Sequence, residues 1–257
     1  MDTKTMIKEI LCKVSNELHE IDFKHSQAKL KLSEIVGIGI LRSLSMYSFR
    51  RFYEWLKQFN LFELNERSRL QRLVNKYWKY SNRFLKKETI FNIADSYAVE
   101  LIHPTRYNRK KQLNSFIRKG LSNNRWIVGR KIGIVINNSF QIVCCNNDLA
   151  GGTDKIFNKD FSTINGIILA DTGYNDKDKS KIPENLKLCK KGSWNDRMYI
   201  ESLFSLWKRM LNTKQMMVKT LNGFSARASY LSALTNILFD LNVKFGYNKF
   251  SMKQWVL

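Results

Sequence analysis

Two short apolar runs in this chain end in the same way, and that ending restricts the fold more than any other feature. Thr89-Ile-Phe-Asn-Ile-Ala-Asp95 and Gly166-Ile-Ile-Leu-Ala-Asp171 each read as a buried strand that stops at a carboxylate. A carboxylate at a buried strand end is costly unless it is paired or binds a cation. One such Asp alone is most simply a helix cap or a turn former. Two of them on neighbouring strands place like charges side by side, which calls for a metal ion.

The segments around these runs fill in the rest of a sheet. Lys131–Ile136 and Phe140–Cys145, joined by Asn137-Asn-Ser139, read as a β-hairpin. A helix over about residues 152–164 follows, and after the Asp171 strand a longer one from about Trp194 to Leu211. The order strand, hairpin, helix, strand, helix predicts a mixed α/β sheet with helices on its faces, over residues 89–257. Residues 1–88 read as helical throughout, with Ser33-Glu34 capping a second helix and a third beginning near Ser48. Their basic outer positions (Arg50, Arg51, Arg69, Arg72, Lys76, Lys79) suit a helix-turn-helix-like bundle that docks on DNA. A helical cap that only packs on the catalytic domain is the plainer reading.

Charge narrows the partner. Among 257 residues, 44 Lys and Arg face 22 Asp and Glu, a net charge of +22 that implies a polyanion, most simply nucleic acid. A membrane surface is the weaker alternative, since the longest apolar run, Ile35–Leu41, is too short to span a bilayer. The opening Met-Asp-Thr-Lys-Thr leads into no apolar segment, so the chain reads as cytoplasmic. Cys12, Cys144, Cys145 and Cys189 form no C-x-x-C pair, which fits a reducing compartment and argues against zinc. Residues 101–137 contain no acid yet carry Arg109, Lys110, Lys111, Arg118 and Arg130 among their bases, a candidate DNA track whose plainer reading is a solvated loop.

The helix near 194–211 holds the third carboxylate. Its apolar stripe is Ile200, Leu203, Phe204, Trp207 and Leu211, and Glu201 sits beside it. Arg197 lies one turn before Glu201 and Lys208 two turns after. An ordinary i,i+4 pair worth a few tenths of a kcal/mol explains Arg197 and Glu201, but not Lys208 or the two strand-end aspartates.

The spacing Arg197-x3-Glu201-x6-Lys208 resembles the tyrosine-arginine-glutamate-lysine signature of bacterial insertion-sequence transposases with an Asp-Asp-Glu triad. Trp194 stands where that signature has Tyr. Asp171-Thr-Gly-Tyr resembles the family's second-Asp motif and Asp95-Ser its first. Phe204-Ser-x-x-Lys-Arg-Met-Leu211 and Gly223-Phe-x-x-Arg227 are similar to stretches after the Glu, so the likeness covers about 89–240. It implies a ribonuclease-H-like fold in which Asp95, Asp171 and Glu201 are catalytic and hold two Mg²⁺ ions, with Mn²⁺ as a substitute. Asp95 would contact both ions, Asp171 one and Glu201 the other. Arg197, Lys208 and Trp194 would contact the transposon end. The partners implied are double-stranded DNA (terminal inverted repeats and target), a second copy of the chain, and the nucleoid as location.

The chain also departs from the pattern. Many relatives have a Gly-Tyr-Lys-x-His-like start to the second strand, where this chain has Gly129-Arg-Lys-Ile-Gly133. The interval from Asp171 to Glu201 leaves no room for a large insertion domain. Alternatives to a transposase are a nuclease or resolvase on the same fold, and a transposase-derived DNA-binding protein without catalysis. A metal-free helical regulator would leave Asp171 and Glu201 unexplained. Glu100 is the alternative to Asp95.

Overall fold

Isoleucine and valine crowd residues 127–136 and open the segment 167–171, and their branched β-carbons favour the pleated strands found there. The computed structural model describes residues 2–45, 47–109, 116–122, 125–150, 152–190, 196–252 and 255. In chain order, helices α1 (Thr3–Leu18), α2 (Leu32–Leu44), α3 (Phe49–Phe59) and α4 (Arg67–Lys76) come first. Strands β1 (Phe91–Ile102), β2 (Arg118–Ser122), β3 (Arg125–Asn137) and β4 (Ile142–Leu149) follow. The chain continues through α5 (Asn158–Phe161), β5 (Ile167–Asp171), β6 (Leu186–Cys189), α6 (Arg197–Met210) and α7 (Leu221–Lys244).

These elements form two compact units, Met1–Leu85 with Asn222–Leu257, and Lys86–Leu221. The sequence reading divided the chain at 88/89 and kept the whole C-terminus with the sheet; α7 instead groups with the first four helices. Its polar side chains explain why. Tyr230 Oη donates to the Val74 carbonyl, Ser229 Oγ to Asn82 Oδ1, and Asn236 Nδ2 to the Phe84 carbonyl. Such long-range pairs leave no periodic trace in a sequence.

Local chemistry accounts for the helix starts. Ser48 caps α3 as expected, accepting the Arg51 N–H. The N-cap of α2 is Lys31, two residues before the expected Ser33: the Glu34 carboxylate accepts the Lys31 N–H, while Ser33 donates to Asp22 through both its N–H and its hydroxyl. Among the described residues no helix is long and apolar enough to cross a membrane.

In the second unit, among the described residues, six strands form one sheet in the order β2-β3-β1-β5-β6, with β4 also paired to β3. Strand β1 is antiparallel to β3 and parallel to β5, which is parallel to β6. The expected hairpin forms, with Ile134 opposite Cys145, but β3 begins earlier at Arg125 and the second strand runs over Ile142–Leu149 rather than Phe140–Cys145, with Phe140 in the turn at positive φ. The helix expected over 152–164 is shorter, a 3-10 turn at Asp154–Phe157 running into the single turn of α5. Phe157, Phe161, Ile164 and Tyr174 pack there on Ala94, Val135, Ile168 and Ala170, closing one face of the sheet.

Alternation along β1 turns Asp95 and Tyr97 to the face opposite Ala94. On that face α6 is clamped by an aromatic cluster, with the Tyr97 ring 4.7 Å from Phe204 and 6.1 Å from Trp207. One expectation needs correcting. Asp95 is not at the end of its strand: β1 runs for 12 residues, because the segment after Asp95 continues its ladder with β3. Strand β5 does stop at Asp171. The parallel register closes at Ile93 opposite Leu169, so Asp95 and Asp171 each lie two residues further along neighbouring strands.

Trp207 is fully buried in this clamp. Trp207→Ala is expected to cost about 3–5 kcal/mol in chemical denaturation; a cost under about 1 kcal/mol would show that α6 is held elsewhere.

Candidate active site

Three carboxylates reach one guanidinium at the edge where β5 ends. Arg197, the first residue of α6, places Nη2 at 3.4 Å from Asp95 Oδ2 and Nη1 at 2.9 Å from Asp171 Oδ2. Its Nε lies 3.0 Å from Glu201 Oε1, in ion-pair range but without hydrogen-bond geometry. Helical spacing sets Glu201 one turn above Arg197, and the aromatic clamp fixes that turn against β1. Backbone amides take the other oxygens of the two aspartates: Ser96 N–H donates to Asp95 Oδ1 and Gly173 N–H to Asp171 Oδ1.

Burial dominates the electrostatics. Asp95 is 7% exposed. Burial pushes its carboxyl up to about 6; Arg197 and the Ser96 amide pull the other way, and Asp171 and Asp154 add to the rise. For Arg197, burial works against the charge, but Asp95, Asp171 and Glu201 outweigh it and hold the guanidinium above its ordinary value.

Asp154 is the acidic residue that sequence reasoning missed. Ser96 Oγ donates to its Oδ1, and Lys131 Nζ lies 3.0 Å from the same oxygen. It belongs to no motif, and 58 residues separate it from Ser96, so no local pattern announces the contact.

The chemistry of the donors suits a hard divalent cation: the acidic side chains offer oxygen alone, which selects Mg²⁺ or Mn²⁺ over zinc. Four carboxylates here meet two cationic side chains, Arg197 and Lys131, which leaves two negative charges over. Among the described residues no three acidic, His or Cys side chains close on a common point as a metal site. Arg197 stands between the three carboxylates that would do so.

The expected DNA contacts fall out unevenly. Lys208 is exposed, with its ammonium 5.2 Å from the centre of the Tyr97 ring, on the face that carries Asp95. Arg118 is exposed on β2. Arg130 is not on the surface: at 6% exposure its guanidinium donates to the Phe116 carbonyl and to Asn147 Oδ1, a use inside the fold that its place in a basic run concealed. Arg109 closes the turn Pro104–Arg109; its side chain, Lys110, Lys111 and Trp194 lie outside the described residues. Glu100 pairs with Arg125 at 2.7 Å and is no substitute for Asp95 in this cluster.

The raised value at Asp95 has a consequence for stability. A carboxyl whose folded value lies above its unfolded one destabilises the fold once pH exceeds the folded value, and the penalty fades as pH falls toward the unfolded value. Asp95→Asn is therefore expected to melt higher than the native chain at pH 7.5, with the difference shrinking near pH 4. Equal melting at pH 7.5 would contradict a charge buried at this cost.

Residues 85–232 match the transposase DDE domain family, a span that holds all three carboxylates, Arg197 and Lys208. No curated protein matches the chain. The match covers more than half of the sequence, and the chain belongs to the transposase DDE domain family.

Proposed function

We propose that this protein is an insertion-sequence DNA transposase that cleaves transposon ends and joins them to target DNA, with Asp95, Asp171 and Glu201 as its catalytic carboxylates. The observation that carries this reading is the convergence of the three, from two neighbouring parallel strands and a helix, on Arg197. The strand order of the Lys86–Leu221 unit supports a ribonuclease-H-like assignment: an antiparallel half of β4, β3 and β1 continues into a parallel half of β5 and β6.

Asp95, Asp171 and Glu201 would hold Mg²⁺, or Mn²⁺ in its place, and the bound ions would stabilise charge on the attacking and leaving oxygens of a phosphodiester. The remaining work falls to the protein. Burial of Asp95 against α6 keeps water from competing for its oxygens. Arg197 counters the mutual repulsion of the carboxylates, and as a planar multiple donor it suits a phosphate of the transposon end. Lys208 and Arg118 offer point contacts that position a duplex without reading its sequence.

The first four helices are assigned the recognition of the terminal repeats. Arg50, Arg51, Arg69, Arg72 and Lys76 are exposed on these helices, and Lys79 is exposed in the 3-10 turn that follows them. Two ends must be cut in one event, so the working form is taken to be a dimer on DNA, in bacteria at the nucleoid. The tyrosine-arginine-glutamate-lysine signature is read here with Trp194 in the place of Tyr.

The test is incubation of the chain with the DNA ends that flank its own gene, in Mg²⁺, reading 3′ nicking and joining on a gel. Asp95→Asn, Asp171→Asn and Glu201→Gln are each expected to lower cleavage at least about a hundredfold while the DNA is still bound. Near-normal cleavage by any of the three would exclude the triad. Lys208→Ala should weaken binding at all sequences alike and lower the slope of log affinity against log salt by about one.

A further inference from the structure

We propose that the hairpin of β2 and β3 is a DNA-inserting arm, whose exposed Leu121–Trp126 pair wedges into the minor groove of a bound duplex while Lys119 meets a phosphate beside it. The proposal rests on the reading of this chain as a DNA transposase given above. Strand β1 ends at Ile102, opposite Val128, and the ladder between β3 and β4 ends at Arg130. Among the described residues, β3 beyond those points pairs with β2 alone, through Gly120 opposite Ile127, Leu121 opposite Trp126 and Ser122 opposite Arg125. The two strands therefore run past the sheet as a ribbon.

The two faces of that ribbon differ, since consecutive residues of a strand point to opposite sides. One face is braced: Arg125 pairs with Glu100 of β1 at 2.7 Å, and Glu100 is buried. The other face is bare. Leu121 is 59% exposed and Trp126 54%, directly across the ladder from each other. The Lys119 ammonium stands 4.6 Å from the centre of the Trp126 ring. Alternation along β3 turns Trp126 to the same side of the sheet as Ile134, which stands opposite Asp95. The step from 126 to 134 spans roughly 26 Å of strand, less than one helical turn of duplex.

Single exposed apolar side chains are ordinary. A facing pair on an edge ribbon is a hazard, because a two-stranded hairpin is barely stable in water and its open edge can pair with another chain. Charge decides what covers it. Arg118 and Lys119 are exposed on β2, and residues 101–137 contain no acid. A second copy of this chain, itself at +22, is repelled by such a surface, whereas DNA is attracted. A flat apolar ring with an ammonium beside it matches a nucleotide, which offers a base and a phosphate. Apolar wedges flanked by cations enter the minor groove between base steps in this way. A solvated loop explains the cations but not Leu121 and Trp126.

The experiment measures binding of the full chain, over a series of salt concentrations, to a duplex taken from the DNA end that flanks its gene. A fluorescent base analogue placed at successive positions of the duplex reports unstacking. Trp126→Ala and Leu121→Ser are each expected to weaken binding at least about fivefold with the salt slope unchanged, and to remove most of the fluorescence rise that the native chain produces. Lys119→Met is expected to lower the slope by about one. All three side chains are exposed, so circular dichroism should not change. Native affinity in Trp126→Ala beside a loss in Lys208→Ala would overturn the arm and leave the transposase reading standing. So would a native chain that binds the duplex without unstacking it at any position. Weaker self-association of Trp126→Ala at unchanged DNA affinity would assign the pair to a protein contact and overturn the proposal as well. Failure of the native chain to bind DNA at all would overturn both readings.

Discussion

The repulsion among Asp95, Asp171 and Glu201 is the interaction on which the rest of the sheet unit depends. Like charges do not favour this meeting, and burial, reinforced by Asp171 and Asp154 and opposed by Arg197 and the Ser96 amide, leaves the Asp95 carboxyl raised to about 6. The fold holds them through Arg197, whose three nitrogens meet one oxygen of each. The aromatic clamp of Tyr97, Phe204 and Trp207 follows from that need, because α6 must be pinned to β1 for a helix residue to reach two strands. Proteins commonly retain such unfavourable arrangements where function requires them.

How much of this the sequence disclosed depends on the distance over which each contact acts. Arg197 and Glu201 share one turn of one helix, so spacing alone places them side by side. Asp171 ends a short apolar strand and could be read from five residues. Asp95 was harder, since β1 continues through it on the strength of a ladder with β3 that no local pattern reveals. Asp154 was invisible, joined to the centre only by long-range contacts to Ser96 and Lys131. Arg130 shows the opposite failure: a basic run suggests an exposed face, yet one of its members is buried and bonded to a carbonyl. The allocation of α7 rests likewise on hydrogen bonds to residues 74–84.

The net charge of +22 and the acidic centre describe two sides of one task. Cationic surfaces gather a polyanion by releasing its counterions, whereas a cluster of carboxylates repels it until cations intervene. On the proposed function, a chain with both would bind DNA without metal and react with it only when metal is present. The arginines of the first helices, Arg118 and Lys208 are exposed, as the proposed gathering side requires, and Asp95 of the acidic centre is buried.

The central claim is that a divalent ion sits where these carboxylates meet, and affinity cleavage tests it most directly. Fe²⁺ exchanged into a Mg²⁺ site generates hydroxyl radicals that cut the polypeptide close to the ion. The account predicts cuts grouped around residues 95, 171 and 201, suppressed by excess Mg²⁺ and absent in Asp95→Asn. Cuts confined to other segments, or an unchanged pattern in Asp95→Asn, would contradict it.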